Sequence, residues 1–189
     1  MQEFIALANS LADAAGEIVR QYYRQPFDVE TKDDSSPVTI ADRAIEQRMR
    51  DIIEKERPQD GIFGEEYGVK DGDSGLIWVL DPIDGTKSFV IGRPTFGTLI
   101  ALCEDGAPKL GVIDQAILKE RWVGVDGRTT FNGQTVRTSP CKSLDYARCA
   151  STSPDMFEET GPLYKNFPRG QRFAWGGDCY QYGLMANGY

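Results

Sequence analysis

The chain has 189 residues, 40% hydrophobic and 26% charged, a balance that suits one sizeable core, or one domain and part of a second. Its net charge is −8, and no basic cluster exceeds a few residues, which excludes the cationic footprint that a nucleic-acid backbone requires. The histidine count is zero; this removes Ser-His-Asp triads, Cys-His pairs, phosphohistidine chemistry and HExxH zinc sites, so any hydrolysis must run on carboxylates, hydroxyls, lysines and bound metal.

The opening residues, MQEFIALANS, place an acid at position 3 and no basic stretch ahead of the apolar ones, unlike a signal peptide. Phe4, Leu7, Ala8, Leu11, Ala15, Ile18, Val19 and Tyr22 recur at helical spacing and predict an amphipathic helix over 3–24, stopped by Pro26. FDVET at 27–31 alternates like a strand, and KDDSS at 32–36 reads as a polar loop. Thr39 starts a second helix with Ile45, Met49, Ile52 and Ile53 on one face and Pro58 as its stop. Short strands follow: GIFG, LIWVLD, TFGTLIALC, KLGVIDQA and ERWVGVD, separated by Gly, Asp and Pro. The last third offers ARCAST and RFAWG as strands, PDMFEET as the start of a helix and DCYQYGLMANG as a helix. Helices leading into a run of strands predict layered α/β packing. The run LIWVL at 76–80 is far too short to span a bilayer, so no membrane partner is expected. Cys103, Cys141, Cys149 and Cys179 are scattered without CxxC spacing and read as reduced thiols of a cytoplasmic protein.

Chemistry concentrates at LDPIDGTKSF, residues 80–89. Asp81 ends a buried-type strand, Pro82 locks its own φ and Gly85 permits a close approach, so a sharp turn is expected to aim Asp81 and Asp84 to one side. Two such carboxylates repel each other unless a cation shares them, and Mg²⁺ suits hard oxygen donors that include substrate phosphate. Asp-Pro-x-Asp-Gly is also simply a good turn sequence. Gly85 and Thr86 would open a helix whose N–H groups can hold a phosphate. Glu65 and Glu66, in GEE at 64–66, are either a second acidic cluster or a solvated loop. Asp42, in SPVTIAD at 36–42, is either functional or an N3 acid answering Thr39 in a variant of the capping box.

Taken together, SPVTIAD, GEE and the twelve-residue block WVLDPIDGTKSF at 78–89 resemble the inositol monophosphatase family of metal-dependent, lithium-sensitive phosphatases. The resemblance implies an α/β (α+β) fold, a layered α-β-α-β-α sandwich, with a metal- and phosphate-binding domain over 1–140 and the start of a C-terminal α/β domain over 141–189. It implies Glu65, Asp81, Asp84 and the Ile83 carbonyl as metal ligands, Asp81 bridging two ions, and two or three Mg²⁺ in a complete site. Gly85 and Thr86 match phosphate-binding positions, and Asp42 with the Thr86 hydroxyl matches the pair that orients and deprotonates the attacking water. Lys32 matches a lysine near the site in some members. Family members continue past this region with a strand and a Trp-Asp or Tyr-Asp motif that completes the second metal site. No such motif occurs here, so the fold is expected to lack its C-terminal elements.

Within the family, DGTKSF, GRPTFGTLIALC, GVIDQAILKERWVG and WGGDCYQYGLMANG are most similar to the histidinol-phosphatase branch. That implies a small phosphorylated metabolite, L-histidinol phosphate, as substrate, with Asp178 placed to meet its cationic groups; a helix N-cap is the alternative for Asp178. Inositol 1-phosphate or another small phosphate ester remains open as substrate, as does an inactive truncated chain. The oligomeric state is open too, a homodimer included.

Overall fold

The computed structural model describes residues 1–26, 29–31, 37–156 and 173–189, and Lys32 lies outside them. Two helices form one layer. α1 (Gln2–Tyr22) buries Ala8, Leu11, Ala12, Ala15 and Val19, and α2 (Ile40–Glu56) buries Ala41, Ile45, Met49 and Ile53, the apolar stripes that the sequence spacing predicts. A two-stranded antiparallel ribbon, β1 (Val29–Thr31) and β2 (Pro37–Thr39), leads into α2. The expected strand over 27–31 is thus described from Val29 onward.

Beneath the helices lies an eight-stranded sheet: β3 (Gly61–Gly64), β4 (Gly68–Lys70), β5 (Leu76–Asp84), β6 (Gly97–Glu104), β7 (Ala107–Gln115), β8 (Glu120–Val125), β9 (Arg128–Phe131) and β10 (Gln134–Val136). Its spatial order is β10-β9-β8-β7-β6-β5-β3-β4, with β3 and β5 parallel and every other pair antiparallel. Alternation along the central strands sends Trp78, Leu80, Ile100, Leu102, Leu110 and Val112 into the helix layer, where they form one core with α1 and α2. Arg121 on β8 ties the sheet to α1: it donates to Asp114 at 2.6 Å, to Asp13 at 2.8 Å and to the Asn9 side chain at 3.0 Å. Beside it, a groove of about 1200 Å³ runs between α1 and β8–β10.

Strands β2, β4, β9 and β10 are additions to the expected list. GVK, RTTF and QTV are short and carry no apolar alternation. The hairpin signal for β8–β9–β10 sits instead in the turns: Asp126-Gly127 and Asn132-Gly133 all have positive φ, as two-residue primed turns require.

On the sheet's other face, β11 (Cys149–Ser151) and β12 (Phe173–Trp175) pair in parallel, and α4 (Asp178–Ala186) follows. Of the helix expected from PDMFEET, the described part is one 3₁₀ turn, Pro154–Met156. α4 lies close enough to β8 that a Cβ on Gly183 would approach the Trp122 ring to 2.8 Å, and Trp122 Nε1 donates to Asn187 Oδ1 at 2.9 Å. Val79, Leu99, Ala101, Ile113, Trp122 and Ala186 line an apolar groove of about 590 Å³ between the sheet and this helix. The result is a mixed α/β sandwich. Among the described residues, no helix is long and apolar enough to cross a membrane.

Candidate metal centre and active site

The sharp turn expected over Pro82 to Gly85 comes at Gly85, and the strand expected to end at Asp81 is longer. β5 runs through to Asp84, and its register against β6 shifts between Asp81 and Asp84, so Pro82 and Ile83 occupy a bulge. In a regular strand, residues three apart face opposite sides; the bulge restores a shared side for the two aspartates. Thr98 Oγ1 donates to the Pro82 carbonyl at 2.8 Å and holds the bulge in place. The chain then turns at Gly85, whose φ of 85° is left-handed, and enters α3 (Thr86–Val90). Thr86 Oγ1 donates to the Ile83 carbonyl at 2.9 Å.

Four carboxylates meet at this bend. The Glu65 amide donates to the Leu80 carbonyl at 3.2 Å, which sets Glu65 next to Asp81. The Asp81 and Glu65 side chains lie within hydrogen-bond reach of each other. The Asp81 carboxyl is pushed up to about 9, first by burial and then by the charges of Glu65, Asp84 and Asp42. Its Oδ1 is buried without any hydrogen-bond partner. Asp84 Oδ2 accepts the Cys179 amide at 2.5 Å, which joins α4 to the site. The Cys179 thiol is pushed up by burial and then by Asp84, and is correspondingly unreactive. Among the described residues, no three acidic, cysteine or histidine side chains close into a ready-made cage.

Asp42 serves the capping box and faces the cluster as well. Its Oδ2 accepts the Thr39 amide at 2.8 Å and the Thr39 hydroxyl at 2.6 Å, and Thr39 caps α2. Burial raises the Asp42 carboxyl to about 6, the Thr39 bonds oppose that shift, and Glu66 adds to it. Asp178 is not an N-cap: Gly177 holds that position, and Asp178 is the first residue of α4 with a left-handed φ of 41°. Its carboxylate accepts from Ser88 Oγ at 3.2 Å and packs so closely on Gly85 that a Cβ there would lie 2.8 Å from Oδ2. Burial, then Asp84, raises the Asp178 carboxyl, while Thr152, Ser88 and Arg93 pull it back.

The bend therefore gathers Asp42, Glu65, Asp81 and Asp84, with Ile83, Gly85 and Thr86 on the same turn and Asp178 against Gly85. Two buried residues of α2 that the sequence reading passed over, Glu46 and Arg50, hold the Glu65–Tyr67 turn from beneath. Their signal was a charged pair lying on the apolar stripe of α2, four residues apart.

Comparison with known proteins identifies the family. Residues 1–189 match the inositol monophosphatase family throughout. The chain is 48% identical over 194 residues to the bifunctional phosphatase IMPL2, chloroplastic, of Arabidopsis thaliana, covering 100% of this chain and 56% of that protein. It is 44% identical over 128 residues to histidinol-phosphatase of Mycobacterium tuberculosis, covering 67% of this chain and 49% of that protein. A solved inositol monophosphatase of Zymomonas mobilis superimposes with a TM-score of 0.84 at 51% identity, covering 99% of this chain and 74% of that one. The chain thus spans about half the length of these two curated relatives. A matching fold, a match along its full length and this carboxylate-lined bend lead to one assignment: the chain belongs to the inositol monophosphatase family.

Proposed function

We propose that this site is the metal and phosphate centre of a Mg²⁺-dependent phosphomonoesterase acting on L-histidinol phosphate. One observation carries the reading: Asp81 Oδ1 is buried without a partner amid three further carboxylates, an arrangement that divalent cations relieve. Glu65, Asp81, Asp84 and the Ile83 carbonyl are hard oxygen donors of the kind Mg²⁺ takes, and they would hold it. Bound there, Mg²⁺ supplies Lewis acidity toward phosphoryl oxygens and lowers the pKa of water.

The chain's own residues do the rest. With Oδ2 engaged by Thr39, Asp42 uses Oδ1 to orient water together with Thr86 Oγ1 and to accept its proton. A carboxyl near 6 is ionised at neutral pH yet basic enough for that task. The backbone N–H groups of Gly85 and Thr86 face the phosphate. Asp178 reads the substrate beyond it. In L-histidinol phosphate the ammonium-bearing carbon is bonded to the CH₂ of the phosphate ester. A carboxylate packed on Gly85, a phosphate-binding position in this reading, supports a contact with that ammonium. Residues 1–140 would thus supply the metal and phosphate groups, and 141–189 the contact that selects substrate.

A second reading, inositol 1-phosphate as substrate, is favoured by the 51% identity to the Zymomonas mobilis enzyme. A substrate panel assayed with Mg²⁺, with excess chelator and with lithium tests both. The reading expects turnover of L-histidinol phosphate above that of inositol 1-phosphate, lost in chelator and inhibited by lithium. Full turnover in chelator would sink the metal mechanism, and a preference for inositol 1-phosphate would move the chain to the second reading.

A further inference from the structure

Glu46 is 0% exposed and Arg50 only 7%. A buried ion pair is a poor means of stabilising a helix, because apolar residues of similar volume do as well or better. These two side chains are spent on the backbone of a single turn. Glu46 Oε2 accepts the Glu66 amide at 2.6 Å, and Oε1 accepts the Tyr67 amide at 3.1 Å together with Arg50 Nε at 2.8 Å. Arg50 Nη2 donates to the Gly68 carbonyl, and its guanidinium lies 5.9 Å from the centre of the Tyr67 ring. The approach requires Gly64, where a Cβ would overlap the Glu46 carboxylate.

The turn carrying Glu65 is consequently fixed on both sides. The Glu65 amide is tied to β5 beside Asp81, and the next amides are tied to a rigid helix. Because Arg50 neutralises Glu46, this brace adds no net charge to a crowded acidic site. We infer that Glu46, held by Arg50, is a positioning residue: it sets the cation affinity of the site by fixing where Glu65 presents its carboxylate. The inference rests on the metal-centre reading above.

Glu46→Gln is the direct test, since it keeps the size but offers one acceptor oxygen in place of two. Mg²⁺ titrated by calorimetry into the 189-residue chain should bind ten- to a hundredfold more weakly, about the loss typical of residues that orient metal ligands. The Mg²⁺ concentration for half-maximal turnover of L-histidinol phosphate should rise in parallel, and kcat at saturating Mg²⁺ should stay near wild type. Arg50→Lys keeps the charge but removes the Gly68 contact, and should weaken Mg²⁺ binding in the same direction by less; it carries the test alone if Glu46→Gln does not fold. A folded variant with lowered thermal stability and unchanged Mg²⁺ affinity would overturn the positioning role while leaving the metal centre intact. A wild-type chain that takes up no Mg²⁺ would overturn both.

Discussion

In the metal-free chain, Asp81 titrates where few other groups do, because there is no histidine to share the neutral range. Its carboxyl shifts from an ordinary 3.8 to about 9 on folding, so between those values the folded chain holds a proton that the unfolded chain has lost. The stability linked to that proton is complete below about 3.8 and is lost as pH rises towards about 9. The melting temperature in chelator should therefore fall steadily from about pH 6 to about pH 9, and Asp81→Asn should flatten that slope. Saturating Mg²⁺ should likewise flatten the slope, since the cation binds the ionised form and the folded chain then holds no proton that the unfolded chain lacks. A flat wild-type profile would show that Asp81 is ionised in the absence of metal. Asp178 makes a different prediction. Asp178→Ala should raise KM for L-histidinol phosphate by ten- to a hundredfold, about 1.5–3 kcal/mol for one charge-assisted contact, and leave KM for p-nitrophenyl phosphate nearly unchanged. Equal effects on both esters would reduce Asp178 to a support for Gly85 and Ser88.

At the level of elements, Thr39 does two jobs. It caps α2, and it engages one oxygen of Asp42. Thr39→Ala should cost about 1 kcal/mol in unfolding free energy as a lost cap. It should also lower kcat by loosening the orientation of Asp42, an effect that a purely structural cap would not produce. The helices and the central strands were legible in the sequence because their apolar spacing is dictated by burial on one face, as at Ile45, Met49 and Ile53. The acidic bend was legible because WVLDPIDGTKSF, GEE and SPVTIAD together resemble one family's motifs; each alone reads equally as a turn, a solvated loop or a helix cap. The bulge was not: Pro82 announces an interruption, but whether the chain turns or shifts register depends on pairing with β6 and on the bond from Thr98, both distant in sequence. Nor was the brace from Glu46, whose partners are backbone amides twenty and twenty-one residues away. The hairpins β8–β9–β10 were missed for a different reason. Asp126-Gly127 and Asn132-Gly133 are strong turn signals, but the strands they join are too polar to stand out.

For the molecule as a whole, cation binding and folding are one equilibrium if the carboxylate cluster is the metal site. Mg²⁺ at a hundred times its dissociation constant should add about 2.7 kcal/mol to unfolding free energy by mass action, seen as a rise in melting temperature that chelator abolishes. The layered arrangement also carries an optical consequence. Trp78 is buried between the sheet and the helix pair and donates to Asp60, Trp122 lies beneath α4 with Gly183 against its ring, and Trp175 is 41% exposed. Each indole thus samples a separate layer. With Trp78 and Trp175 replaced by phenylalanine, Trp122 becomes a single emitter whose colour reports whether α4 rests on the sheet. Because the Cys179 amide on that helix also binds Asp84, the same emission should shift if Mg²⁺ engages Asp84, giving a label-free readout of the bend from a ring three strands away in the sheet.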